Sequence, residues 1–159
     1  MKHTAATSLG VILLAASLAT GDEKRPLTFR LTIMGEMEDK AATKAGFHTS
    51  YFHTTHLGFH KYDASDGEQV DIYNGEFKNA DEARSYFDWN LRNRAAQVIT
   101  QGDKLNLDGK IIGRRAEYLA KSETKEKAWI VMWTNGEYFH LVSAPSLECA
   151  VALEKECRN

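Results

Sequence analysis

Hydrophobic and polar residues alternate with a period of two near the start of the chain. Leu27, Phe29, Leu31 and Ile33 fall on one side, and Thr28, Arg30 and Thr32 on the other. That is the pattern of a half-buried strand. The next stretch, 36–46 (EMEDKAATKAG), is polar and fits a short helix or a loop. From Phe47 to Tyr62 the chain is dense in aromatic, β-branched and histidine residues, a β-type composition. DASDG (63–67) reads as a turn and EQVDIYNGEF (68–77) as a further strand, bent at Asn74-Gly75.

The period then changes. Asn79 and Glu82 are spaced as a helix-capping pair, and Asp81 and Glu82 suit the positive end of a helix. Ala83, Phe87, Leu91, Ala95 and Val98 follow on one helical stripe, with Gly102 as the expected stop. Arg84, Asp88 and Arg92 form an i,i+4 charge ladder on the solvated side.

The remainder reads as a β-meander closed by a helix. Leu105 and Leu107 lead into the hairpin signal Asp108-Gly109, and a long strand runs from Lys110 to Ala120. A charged connection (122–127) precedes KAWIVMWT (127–134), Asn135-Gly136 and EYFHLVSA (137–144), the clearest hairpin in the chain. Pro145 and Ser146 introduce a final helix, 146–157, with Leu147, Ala150, Val151 and Leu153 inward. The order β-β-β-α-β-β-β-β-α predicts an α+β fold. Four to seven antiparallel strands form a meander packed against one long helix and a C-terminal helix.

Residues 1–21 carry the layout of a secretory signal peptide. Lys2 is followed by an apolar run, Leu9–Ala19, and by small residues Ala19, Thr20 and Gly21 before a charged segment. The run is too short to span a bilayer, which needs about 20 apolar residues. No cysteine follows it, so no lipid anchor is expected. The expectation is an exported, soluble protein, secreted or periplasmic, with one domain over 22–159.

Composition narrows the partners. Of 159 residues, 43% are hydrophobic and 26% charged, with a net charge of −2, an ordinary globular balance. Without a basic excess, nucleic acid is not an expected partner. No basic amphipathic helix suggests a membrane surface. A small molecule or a protein remains, and the sequence does not set the oligomeric state.

Two cysteines, Cys149 and Cys157, raise the question of a disulfide in an exported chain. Eight residues apart on one helix, their Cα atoms lie about 12 Å apart. A bridge needs about 7 Å or less, so it forms only if the helix end frays. Both states stay open.

Side-chain alternation divides the 127–144 hairpin into two faces. With Asn135-Gly136 as the loop, Trp133 pairs with Tyr138 and Met132 with Phe139. Ile130, Met132, Phe139 and Leu141 make a core face. Trp129, Val131, Trp133, Tyr138, His140 and Val142 make the other. Either the second face is also packed, under segment 47–62, or Trp129, Trp133, Tyr138 and His140 line a ligand groove.

Histidines supply the alternative chemistry. His48, His53, His56 and His60 lie within thirteen residues. On a helix, His53, His56 and His60 would share one side and could hold zinc or copper. The β composition of the segment and Gly58 argue against that helix. On a strand, His48, His56 and His60 share a face and His53 takes the other. No cofactor is otherwise expected.

Enzyme signatures are missing. There is no nucleophile elbow, zinc-protease pair or phosphate loop. A calcium loop at 63–68 fails because Tyr73 would stand where the bidentate Glu belongs. Arg114 and Arg115 fit an anion site or a wet strand face. The reading is a non-catalytic binder of a small apolar or aromatic ligand or of a protein partner. A histidine-based metal protein is the alternative, with an enzyme of unrecognised site beside it.

Overall fold

The computed structural model describes residues 26–158, apart from 107 and 123–125. The expected signal peptide, 1–21, lies outside the described residues. The elements in chain order are β1 (Phe29–Glu36), α1 (Asp39–Lys44), β2 (His56–Ala64), β3 (Gln69–Glu76), α2 (Ala80–Arg94), β4 (Ala95–Leu105), β5 (Ile111–Ala120), β6 (Trp129–Asn135), β7 (Tyr138–Ala144) and α3 (Leu147–Arg158). The described strands form one seven-stranded sheet, ordered β1-β2-β3-β7-β6-β5-β4, and every neighbouring pair is antiparallel. The α+β meander expected from the pattern is the architecture observed. No helix among the described residues is long and apolar enough to cross a membrane.

Two meanders, β1-β2-β3 and β4-β5-β6-β7, meet where β3 pairs with β7. Helix α2 links them by crossing one face from β3 to the far edge at β4. The Asn79 side chain accepts the Glu82 backbone N–H at 2.9 Å, as its spacing predicts. The helix stops at Arg94, however, and not near Gly102. Ala95 turns straight into extended backbone (φ −76°, ψ 127°), and β4 pairs with β5 from Ala95↔Ala120 onward. Val98, Ile99 and Thr100 are β-branched, and strand pairing absorbs them more easily than a helix does. Ala83 and Phe87 are buried as the stripe requires, but Tyr86 and Asn90 share that face. Asp88 leaves its expected ladder and bonds Arg114 on β5 at 2.9 Å.

Each face of the sheet has its own core. Under α2 lie Phe77, Tyr86, Phe87, Tyr118, Ile130, Met132, Phe139 and Leu141, joined by Phe47 and Ala42. Three polar groups are satisfied within it. The Tyr86 hydroxyl donates to the Gly46 carbonyl, the Asn90 amide to Tyr86, and the Tyr118 hydroxyl to Asn90 Oδ1 at 2.6 Å. Burial pushes the Tyr86 phenol up to about 12, so it stays protonated.

On the other face α3 covers Val70, Ile72, Val131, Trp133 and Val142 with Cys149, Ala150 and Leu153. The second hairpin face is therefore packed in part, but chiefly by α3, with only Tyr62 of segment 47–62 packed against the same cluster. That segment supplies β2 and a loop whose Phe47 and Phe52 pack on the α2 side. Arg115 anchors α3: its guanidinium makes two hydrogen bonds to Glu154, at 2.8 and 2.6 Å, and reaches Glu117 at 2.7 Å. Arg114 and Arg115 are thus committed to carboxylates within the fold. Cys149 is buried and Cys157 exposed on this one helix, and both thiols are free.

The hairpin register departs from expectation by two residues. Asn135 pairs with Tyr138, Trp133 with His140 and Met132 with Leu141. The two loop residues are Gly136-Glu137, with Gly136 at φ +62°. Glycine leads a tight hairpin turn of this kind, which places it one position earlier in the loop than the Asn-Gly reading did. A shift of two preserves the face of every side chain.

Candidate functional site

The α3 face carries a row of side chains across four paired strands: Asn74 on β3, His140 on β7, Trp133 on β6 and Arg115 on β5. The Arg115 end disappears beneath α3. The Asn74–His140–Trp133 end floors a cleft of about 810 Å³ beyond the helix. Tyr62, Ile72, Leu105 and Ile112 give the cleft apolar walls, while His60, Lys104, Asn106 and Asn135 add polar groups. Its volume falls in the range of about 300–1,000 Å³ common for small-ligand sites.

A second hollow of about 430 Å³ adjoins the first and shares His60 and Asn74 with it. Met34, Glu36, His56 and Gly58 complete its lining. Gly58 pairs with Asn74 across β2 and β3 and lines this second hollow, where a Cβ would meet nothing nearer than 3.8 Å. The two hollows make one groove from the β1 edge to the tip of the β4–β5 hairpin.

Asn74 organises the floor. The His140 Nδ1–H donates to Asn74 Oδ1 at 2.7 Å, and the Asn74 amide donates to His60 Nδ1 at 3.3 Å. One side-chain amide thus sets opposite tautomers on two imidazoles. His140 keeps Nε2 as an acceptor, and His60 keeps Nε2–H as a donor. The His140 ring stacks on Trp133, with centroids 4.9 Å apart and planes 22° from parallel. Burial, and then the Lys104 charge, push the His140 pKa down to about 4. It is a neutral imidazole at physiological pH. The Lys104 ammonium sits 5.7 Å from the Trp133 ring centroid.

Of the four ligand-binding residues expected, the structure brings Trp133 and His140 together in the cleft. Trp129 pairs with Ala144 at the far end of β6, four residues from Trp133, and does not line the cleft. Tyr138 is 44% exposed and also stands outside it. Trp133 itself is only 4% exposed, so most of its ring belongs to the core.

The three histidines of the metal reading are dispersed. His60 and His56 lie on one strand, four residues apart or about 13 Å, and His53 sits in the loop before it. His56 faces Glu36 at 3.7 Å. Because 53–60 is loop and strand, the helical spacing that would unite them does not exist.

Asn74 and Lys104 escaped the sequence reading. Asn74-Gly75 reads as a bend, and only the register β3–β7 places Asn74 opposite His140. Cys157 stands at the rim of the cleft. Desolvation, then Glu156 and Glu154, raise its thiol pKa, and the thiol stays protonated. No family model, curated protein or solved structure matches this chain.

Proposed function

We propose that the chain is a non-catalytic binding protein for a small planar, largely apolar ligand that carries one donor and one acceptor group. The observation that carries this reading is the stacked Trp133–His140 pair flooring a cleft with both histidine tautomers fixed by Asn74. A neutral His140 accepts, His60 donates, and the apolar walls take the rest of the ligand. Lys104 favours a ligand with a negative end. A preset polar pair in an apolar cleft is how specificity for such ligands is built.

A naphthalene sulfonate with an anilino N–H is a suitable probe. At about 0.3 kcal/mol per heavy atom its dissociation constant should fall near 10–100 μM. The double change Asn74→Ala, His140→Ala should weaken it at least tenfold. Absence of binding below 1 mM defeats the reading. So does binding that survives the double change but disappears in Val151→Asp, which marks the apolar hollow of Leu27, Leu147 and Val151 instead.

A further inference from the structure

A second site stands apart from the groove, on the α2 side of the sheet. Asp39 opens α1, and His48 and His53 sit in the loop that follows it. One ligand atom from each of the three lies within 4.8 Å of the others. His48 is buried, at 8% exposure, while Asp39 and His53 are exposed. The loop holding the histidines is fixed at both ends. Phe47 and Phe52 pack into the α2 core, and the backbone N–H groups of Phe47 and His48 both bond the Ala42 carbonyl.

His48 has the arrangement of a metal-ligating imidazole. Its Nε2–H donates to the Thr54 backbone carbonyl at 3.1 Å, with the Thr54 hydroxyl also against that nitrogen. That bond fixes the tautomer and leaves the Nδ1 lone pair available. Nδ1 faces Asp39 Oδ1 at 3.9 Å, too far for a hydrogen bond. The His53 ring lies against His48, with centroids 4.0 Å apart. A backbone carbonyl holding the outer nitrogen of a ligating histidine recurs in metal sites.

We propose that Asp39, His48 and His53 bind one divalent transition-metal ion of the imidazole-preferring class, such as zinc or copper(II), with a fourth position left to solvent. Zinc at about 2.0–2.1 Å from each ligand needs tetrahedral ligand atoms about 3.3 Å apart. The exposed Asp39 and His53 side chains can swing inward by that difference, while buried His48 stays as the fixed post. Binding would tie the six-residue helix α1 to the loop after it. This is a different trio from His53, His56 and His60, and it does not depend on the groove.

Calorimetric titration of the metal-free chain with zinc chloride, alongside metal analysis, tests it. One zinc per chain is expected, with a rise in Tm on addition. Asp39→Asn and His53→Ala, both at exposed positions, should each weaken binding at least tenfold while the metal-free Tm stays within a few degrees. His56→Ala and His60→Ala should leave binding unchanged. No binding at 100 μM zinc overturns the proposal, as does loss of binding in His56→Ala or His60→Ala with retention in Asp39→Asn.

Discussion

Trp133 and His140 are direct cross-strand partners on β6 and β7, and their rings stack at 4.9 Å. The pair joins two environments: Trp133 belongs to the core under α3, and His140 forms part of the cleft floor. Truncating Trp133 therefore removes core as well as floor. Trp133→Ala should cost about 3–5 kcal/mol in chemical denaturation, the usual range for a buried aromatic. A cost below 1 kcal/mol would place the ring outside the core.

His140 should make the fold sensitive to mild acid. Its pKa is about 4 in the folded chain against 6.5 as the ordinary value. Between those values the unfolded chain holds more protons, so stability rises with pH across the window. The contribution is complete above about pH 6.5 and is lost as pH falls toward 4. Between pH 7 and pH 5 the loss should be about 2 kcal/mol. His140→Gln should remove that difference, measured by denaturation at both pH values. An unchanged pH dependence in the variant would mean that His140 is not desolvated.

The fold was legible where one pattern spoke for one element. The Asn79 cap and the 127–144 hairpin each describe local geometry, and each appears in the structure. The alternation in 27–33 yields a strand but not its buried face: on the edge strand β1, whose pairing with β2 shifts between Leu31 and Ile33, those two side chains are 47% and 49% exposed. The helix limit at Arg94 was not legible, because Ala95 and Val98 continue the helical stripe by coincidence while their fate is decided by β5, twenty residues on. The groove was half legible. Trp133 and His140 share a face by simple alternation, but Asn74 reaches them only through the β3–β7 pairing, 66 residues apart. The cover over Trp133 was not legible for the same reason, since nothing local says which face α3 takes.

The buried ion pair under α3 should be costly to break and cheap to replace. Glu154 is 2% exposed, and Arg115 grips both its oxygens. Arg115→Met leaves a buried carboxylate without its main partner and should cost about 3–5 kcal/mol. Arg115→Met with Glu154→Leu should recover part of that loss, because apolar replacement of a buried pair is often neutral, while Glu117 still gives up its 2.7 Å contact with Arg115. If the double variant is no more stable than the single one, the pair does more than neutralise charge.

Core and surface positions should separate cleanly. Phe87 and Leu141 are buried under α2, and Ala at either should cost about 2–5 kcal/mol. Arg84 is half exposed and meets Asp81 at 3.7 Å. Its replacement by Ala should cost under about 1 kcal/mol. Comparable costs for Phe87 and Arg84 would contradict the orientation of α2.

Two glycines in the sheet should respond in opposite ways to the same added methyl. At Gly113 on β5 a Cβ would stand 1.9 Å from the Thr134 carbonyl oxygen and 2.6 Å from its carbon. Both atoms are backbone of the neighbouring strand, so relief requires the strands to part. That would strain the bond from the Arg114 N–H to the Thr134 hydroxyl, 2.9 Å long. Gly113→Ala should therefore cost about 3 kcal/mol or more, at the upper end for overpacking. At Gly58 the nearest atom is 3.8 Å from the added carbon. Alanine there restricts the unfolded chain without a clash and should be neutral or stabilising by about 0.5 kcal/mol. Because Gly58 lines the second hollow, the bulkier Gly58→Leu should keep the fold and narrow that hollow. Thermal unfolding of the three variants decides the matter. A Gly113→Ala protein as stable as the parent would show that β5 does not approach β6 this closely.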